Sequence, residues 1–178
     1  MATFKQRKQA FATWKCSPLG ELLGSGRYGK VFACGQSSAA KLIDLCGKRK
    51  QARLQAYREH VVALLQSVLL LAKVTPHFPW HYGATTTFVG DAHELQFTLY
   101  MERFDGTLED LSPMVLQSAK DWAHAALQVL HACLSMAVHF GIVHNDLYPR
   151  NVLVRRSAPL ALHYLVGAET YSLSLIHI

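Results

Sequence analysis

The stretch over residues 49–73 constrains the fold most, because it contains neither glycine nor proline and its apolar side chains recur at helical spacing. This pattern predicts one long amphipathic α-helix, which the Thr75-Pro76 pair then ends. The recurring residues, predicted to face the core, are Leu54, Tyr57, Val61, Leu64, Leu65 and Val68. The segments on either side of this helix therefore decide the fold class.

Short β-strands are predicted on both sides of this helix, each bounded by glycine or turn-forming residues. They cover residues 19–25, 30–34, 39–45, 85–89 and 95–101. A second long helix is predicted over residues 113–140, ended by Gly141. Its apolar stripe consists of Trp122, Ala126, Val129, Leu130, Leu134 and Val138. This order predicts an α+β fold with a small antiparallel sheet and a boundary at Asp105-Gly106.

The composition, 51% hydrophobic and 17% charged, is typical of a globular protein. The longest apolar run, residues 61–72, is shorter than the about twenty residues of a membrane span, so it predicts a buried helix and no membrane partner. No secretory signal is visible, and we expect a cytoplasmic protein. The formal charge of +6 predicts a solvated basic surface, and nucleic acid is not expected as a partner because no recognised reading module accompanies the charge.

The cysteines indicate the redox environment. They are widely spaced and form neither a C-x-x-C pair nor a zinc-binding pattern, and their positions are Cys16, Cys34, Cys46 and Cys133. This spacing predicts reduced thiols rather than a disulfide framework or a structural metal.

Residues 23–31 read Leu-Gly-Ser-Gly-Arg-Tyr-Gly-Lys-Val and fit the pattern G-x-G-x-x-G-x-V, with a strand predicted on each side. Glycines let the backbone come close to phosphate oxygens and leave its N–H groups pointing at them. A dinucleotide-binding fold would instead need a helix starting at Gly29, where a strand is predicted. Taken alone, the pattern also fits an ordinary glycine-rich hairpin.

Lys41 is a single cation in an apolar strand that reads Ala-Ala-Lys-Leu-Ile. A buried lysine is costly unless it meets an anion, so we expect a carboxylate near it. Glu59, within the long predicted helix, is the candidate, and the pair would hold Lys41 against nucleotide phosphates. The alternative is an edge-strand lysine with its ammonium group in water and a glutamate on a solvated helix face.

Residues 144–154 read His-Asn-Asp-Leu-Tyr-Pro-Arg-Asn-Val-Leu-Val and match H-x-D-L-x-x-x-N followed by an apolar strand. The loop follows the second long helix, as the catalytic loop of a protein kinase does. Asp146 would accept or orient the proton of an attacking hydroxyl, and Asn151 would bind a Mg²⁺ ion that bridges the phosphates. A surface turn with chance matches is the alternative.

From Gly24 to Asn151 the chain resembles a eukaryotic-type protein kinase, with the glycine loop, lysine, helix glutamate and catalytic loop in the expected order. The resemblance implies a two-lobed fold that holds ATP and Mg²⁺ under the glycine loop and phosphorylates a protein hydroxyl, Ser or Thr ahead of Tyr. It implies an N-terminal extension, an N-lobe with its hinge, and a partial C-lobe, over residues 1–18, 19–104 and 105–172.

The resemblance also assigns site residues. Those implied to bind the nucleotide are Leu23, Gly24, Ser25, Gly26, Gly29, Val31, Ala39, Lys41, Glu59, Met101, Glu102, Phe104 and Leu153. Those implied to act in transfer are Lys41, Asp146, Arg150 and Asn151, with Asn151 also a metal ligand. Around adenine, Met101 would lie at the back and the backbone of residues 102–104 would bind the ring. Val31 and Ala39 would cover it, and Leu153 would lie beneath it.

The wording of the loop, together with Thr-Pro-His-Phe-Pro at residues 75–79, is similar to kinase-like proteins of large DNA viruses. This likeness makes a host cell or a virion an alternative location. Asn145 stands where many kinases carry an arginine that reads a phosphorylated activation loop, so such control is not expected. Tyr148 replaces the lysine usual in Ser/Thr kinases, and Arg150 resembles the position from which tyrosine kinases supply that charge. The substrate class therefore stays open.

After Val154 the resemblance predicts a strand pair and then Asp-Phe-Gly, and no such motif occurs. Segments 162–166 and 170–173 are predicted as a hairpin inserted before that point. Residues 173–178 look foreign, because codons for them are similar to a transposon-end adapter used in preparing sequencing libraries. We expect a reading frame cut by an assembly artefact and a non-native tail without functional weight.

Three other hypotheses stay open. A small-molecule phosphotransferase of the aminoglycoside or choline kinase type shares the H-x-D-x-x-x-x-N loop, but the glycine loop favours a protein kinase. A pseudokinase or scaffold would not need the retained Lys41, Glu59, Asp146 and Asn151. A basic nucleic-acid binder has only the net charge in its favour.

Overall fold

The computed structural model describes residues 9, 14–26, 29–45, 50–89, 94–166 and 169–177. Its contacts divide the chain into two units, one ending at Arg103 and the other beginning at Phe104. Both units combine strands with helices, which confirms the predicted α+β class.

The first unit is a five-stranded antiparallel sheet with one long helix among its described residues. The strands are β1 (Leu19–Gly26), β2 (Gly29–Cys34), β3 (Ser38–Asp44), β4 (His81–Val89) and β5 (Glu94–Glu102), in the spatial order β1-β2-β3-β5-β4. The helix α1 (Lys50–Leu71) connects β3 to β4. Every predicted strand of this sheet is present, and the largest difference is that β4 begins at His81 rather than at Thr85.

The helix α1 packs on one face of this sheet, in a core formed by Ile43, Leu45, Ala56, Phe97 and Leu99. The predicted core stripe of α1 is wrong, since most of its members are exposed, namely Leu54, Tyr57, Val61, Leu64 and Val68. The buried residues of α1 are Ala56, Ser67, Leu69 and Leu70. Small side chains let a helix approach a sheet closely. A helix that is apolar on more than one face does not reveal from its pattern which face packs.

The described part of the second unit contains two helices, a short 3₁₀ turn and three strands. In chain order they are β6 (Gly106–Thr107), α2 (Leu108–Val115), α3 (Ala119–Phe140), the 3₁₀ turn (Pro149–Asn151), β7 (Leu153–Val166) and β8 (Glu169–His177). The prediction of one helix over residues 113–140 is wrong, because Pro113 lies inside α2 and α3 starts separately. The N–H of Ser118 donates to Oδ2 of Asp121 at 2.9 Å, and Oγ of Ser118 accepts from the N–H of Asp121 at 3.2 Å. This capping box begins α3.

The core of the second unit lies between α2, α3 and β7 and consists of Leu108, Leu111, Val115, Leu116, Ala125 and Val154. The buried residues of α3 are Ala125, Gln128, Ala132, Ser135 and Met136. The predicted stripe of α3 is therefore wrong as a core face: Val129 is partly buried, whereas the exposed members include Trp122, Leu130, Leu134 and Val138. Among the described residues α3 is the one helix long and apolar enough to cross a membrane, a test that core helices also pass.

The hairpin predicted near the end of the chain is present and longer than expected. β7 and β8 pair from Val166 and Glu169 at the turn to Arg155 and His177 at the far end. β8 therefore includes most of the segment predicted to be a non-native tail. The turn residues Gly167 and Ala168 lie outside the described part of the chain.

Candidate active site

The glycine pattern forms the hairpin of β1 and β2. Gly24 lies opposite Val31, Ser25 opposite Lys30, and Gly26 opposite Gly29. Leu23 precedes these residues on β1, which is exposed along its whole length. The tip, Arg27 and Tyr28, lies outside the described residues. The two predicted strands are confirmed, and they pair antiparallel.

The three glycines differ in why the chain needs them. Gly29 has φ +151°, and a Cβ there would lie 2.3 Å from the carbonyl oxygen of Leu42, so the fold itself requires glycine. A Cβ at Gly24 or Gly26 would meet no described atom within 4 Å. Packing among the described residues therefore explains why residue 29 is a glycine. It gives no reason for a glycine at Gly24 or Gly26.

Lys41 and Glu59 form an ion pair between β3 and α1, with side chains 21% and 33% exposed. Alternate residues of β3 point to the same face, so Lys41 shares with Ile43 the face that packs against α1. Glu59 lies one turn after the buried Ala56 and projects from the same side of the helix. The predicted approach of these two side chains is confirmed. Ala39 shares this face of β3 and is buried.

A pair of histidines lies beside this ion pair. Nδ1 of His60, the residue after Glu59, lies 2.8 Å from Nε2 of His81 on β4. Burial, followed by the charge of His60, lowers the pKa of His81 to about 4, against a smaller opposing effect of the Tyr100 backbone. The sequence carried no signal for this pair, because the two rings come from elements far apart in the chain.

The end of β5 carries the residues implied to bind adenine. Met101 is partly buried against the core of the first unit. Glu102 is buried, and its N–H donates to the carbonyl of Trp80 at 2.8 Å while its Oε2 accepts from the N–H of Trp80 at 3.2 Å. The N–H of Arg103 donates to the carbonyl of Ser37 at 2.9 Å. Within residues 102–104, these bonds use the N–H groups of Glu102 and Arg103 but not that of Phe104.

The loop in the second unit brings Asp146 and Asn151 together. Nδ2 of Asn151 donates to the main-chain oxygen of Asp146 at 2.8 Å and to its Oδ2 at 3.0 Å. The 3₁₀ turn returns the chain to Asp146, and Asn145 reaches the required bend with φ 36°. Both bonds use Nδ2 of Asn151, so its amide oxygen takes no part in them.

The other residues implied to act in transfer lie on either side of this loop. The guanidinium of Arg150 stacks over the Tyr148 ring at 4.6 Å from its centroid, and both side chains are exposed. Leu153 is partly buried at the start of β7, where it pairs with Thr107. Of the residues implied to act in transfer, the loop thus presents the Asp146 carboxylate, the Asn151 amide and the Arg150 guanidinium to solvent.

The described residues contain no group of three or more His, Cys, Asp or Glu side chains placed to hold a metal ion. Oxygen ligands suit Mg²⁺, and the amide oxygen of Asn151 and the carboxylate of Asp146 are of this type. The loop thus offers two side chains with oxygen atoms of the kind that Mg²⁺ accepts.

Comparison of the sequence with models of protein families finds no match, and comparison with curated proteins finds none either.

Proposed function

We propose that the chain is a phosphotransferase of the protein-kinase type, which binds ATP through its first unit and carries in its second unit the loop for transfer to a protein hydroxyl. The ion pair of Lys41 with Glu59 carries this proposal. It places a half-buried ammonium group on the strand next to the glycine hairpin, where a carboxylate orients it.

The two unexplained glycines support nucleotide binding. Gly24 and Gly26 have neither a positive φ nor a neighbouring described atom that would exclude a side chain. A ligand that approaches the backbone closely is a sufficient reason for glycine at such positions. Phosphate oxygens are ligands of this kind, because they accept hydrogen bonds from backbone N–H groups.

In this mechanism the substrate oxygen forms a bond to the γ-phosphorus, and the bond from that phosphorus to the β–γ bridging oxygen breaks. Asp146 receives or orients the hydroxyl proton, and Asn151 holds its carboxylate in place through the bond at 3.0 Å. Lys41 and Arg150 supply positive charge to the phosphates. A bound Mg²⁺ would neutralise phosphate charge, with Asn151 as one ligand. The kinase resemblance makes Ser or Thr the expected acceptor ahead of Tyr, while Tyr148 and Arg150 keep Tyr open as an alternative.

A second candidate is a protein that binds nucleotide without transferring phosphate. One observation favours it, namely that the ion pair and the two unexplained glycines all lie in the first unit and support nucleotide binding without requiring transfer. The two candidates predict the same binding by the first unit and differ in transfer.

Calorimetric titration of the full chain with ATP tests the shared part. We expect Gly24→Ala and Gly26→Ala to keep the melting temperature and to weaken ATP binding by about tenfold or more. Lys41→Met should weaken it similarly, whereas Lys120→Met, a lysine exposed on α3, should not. ATP binding that is absent from the wild type, or unchanged in all three site variants, would overturn the proposal.

A further inference from the structure

Residues 14–18 lie against the sheet on the face opposite α1. Nε1 of Trp14 donates to Oγ of Ser38 at 3.2 Å. The Trp14 ring stacks on Tyr82 at 5.3 Å between centroids and contacts Tyr100 at 5.1 Å. Ser38 lies opposite Cys34 in the pairing of β2 with β3, so both side chains belong to this face. The segment therefore covers the strand end that carries Cys34.

The thiols of Cys16 and Cys34 lie near the same backbone carbonyl group. Sγ of Cys34 donates to the carbonyl oxygen of Ser17 at 3.1 Å, and Sγ of Cys16 lies 3.8 Å from the same oxygen. The two sulfurs are thus at most about 6.9 Å apart, the sum of these distances. In the pairing of β1 with β2, Cys34 lies opposite Leu19. Leu19 comes three residues after Cys16 in the chain. Rotation of the exposed Cys16 side chain can shorten the separation toward the about 2.05 Å of a disulfide.

We propose that Cys16 and Cys34 are an oxidation site that forms a reversible disulfide and ties residues 14–18 to β2. Neither the kinase resemblance nor the proposed function requires this bond.

The two cysteines have different parts in the reaction. Cys16 is exposed, so a peroxide reaches it first and converts its thiol to a sulfenic acid with release of water. Cys34 is buried, and its sulfur then attacks the sulfenic sulfur of Cys16. The S–S bond forms, the S–O bond breaks, and the hydroxyl leaves with the Cys34 proton as a second water. Hydrogen peroxide is the oxidant, and a dithiol reverses the step.

Cys133 is a suitable comparison within the described part of the chain. It is half-buried on α3, in the other unit, and burial raises the pKa of its thiol. A thiol with a raised pKa forms less of the reactive thiolate. Cys46 lies outside the described residues and serves as a second comparison by mass alone.

Peptide mapping of the full chain tests the proposal directly. Trypsin separates the cysteines into peptides 16–27, 31–41, 42–48 and 121–150. After limited hydrogen peroxide, we expect one linked product of 16–27 with 31–41, lighter by two hydrogen atoms and lost on treatment with dithiothreitol. The oxidised protein should melt roughly 5–10 °C higher than the reduced one, because the bond closes a loop in the unfolded chain and so lowers its conformational entropy.

Four variants make the test specific. Cys16→Ser, an exposed change that the fold tolerates, and Cys34→Ala should both abolish the linked peptide and the thermal shift. Cys46→Ser and Cys133→Ser should keep both. A link that involves peptide 42–48 or 121–150 instead, a link between chains, or over-oxidation of Cys16 without any link would overturn the proposal. None of these results depends on nucleotide binding, so failure here leaves the proposed function intact.

Discussion

Nδ1 of His60 and Nε2 of His81 lie 2.8 Å apart, so two imidazoles join α1 to β4. At this distance one ring nitrogen donates a hydrogen bond to the other, and the tautomers decide which ring is the donor. His60 follows Glu59 directly, which means that the helical turn held by this contact also carries the partner of Lys41. Protonation of His81, whose pKa burial lowers to about 4, therefore acts on the stability of the first unit.

We expect the first unit to lose stability as the pH falls from about 6.5 to about 4. Burial lowers the pKa of His81 to about 4, against 6.5 for the unperturbed group. In this window the unfolded chain binds a proton that the folded chain does not, so the free energy of unfolding rises with pH. The loss at low pH should be about 2–3 kcal/mol. Urea unfolding between pH 4 and 7.5, followed by fluorescence, measures it.

His81→Gln is the matched variant for this experiment, because it keeps a polar side chain and cannot titrate. The difference between the stability profiles of wild type and His81→Gln separates the contribution of His81 from that of His131, whose pKa burial also lowers. Parallel pH profiles for the two proteins would mean that His81 is not the titrating group.

The glycines of the hairpin should respond to alanine in opposite ways. Gly29→Ala should destabilise the first unit by about 2 kcal/mol or more, since the new Cβ would lie 2.3 Å from the Leu42 carbonyl and the φ of +151° disfavours a side chain. Gly24→Ala should change stability by less than about 0.5 kcal/mol. Chemical denaturation of both variants checks this, and equal destabilisation would contradict the distinction between the two positions.

Local patterns predicted the strands of the first unit well. Alternation and turn residues act within a few positions, so Gly24, Gly29 and the segment around Lys41 could be placed from the sequence. The ion pair of Lys41 with Glu59 could be predicted as well, because a buried cation demands an anion. The break between α2 and α3 was missed although its signal is local, namely a serine at 118 followed by an aspartate at 121.

Tertiary packing determines the features of the fold that could not be predicted from the sequence. The faces of α1 and α3 that pack contain small or polar residues, such as Ala56, Gln128 and Ser135, and a periodicity argument does not select these. The contacts of His60 with His81 and of Trp14 with Tyr82 join segments far apart in sequence. No spacing rule connects such residues, so they emerge only from the packed fold.

The exposed stripe of α3 can be tested by polar substitution. Leu130 and Leu134 are 62% and 61% exposed, so Leu130→Gln and Leu134→Gln should each change the free energy of unfolding by less than about 0.5 kcal/mol. Met136→Gln should cost about 2–4 kcal/mol, because Met136 is buried. Thermal and urea unfolding of the three variants provides the measurement. A large loss for Leu130→Gln would show that this face is covered in solution.

A substitution in the loop of the second unit should lower phosphoryl transfer without changing ATP binding. Asp146→Asn removes the proton acceptor and should lower any transfer of the γ-phosphoryl group by about 10²–10⁴-fold. ATP affinity should stay unchanged, because Asp146 is not among the residues proposed to bind the nucleotide. Labelled ATP with a generic protein substrate measures transfer, calorimetry measures binding, and Glu109→Gln, an exposed carboxylate on α2, is the control for charge.

Each outcome of this comparison assigns the loop a role. Because Asn151 is the one residue proposed to ligate the metal, we expect slow transfer and an ATP affinity that Mg²⁺ changes little. Transfer that is unaffected by Asp146→Asn would exclude Asp146 as the proton acceptor. Binding that depends on Gly24, Gly26 and Lys41 without any transfer by the wild type would favour the protein that binds nucleotide only. Tight binding that strongly requires Mg²⁺ would instead mean that the chain supplies a metal ligand beyond Asn151, and Glu169→Gln would then identify it.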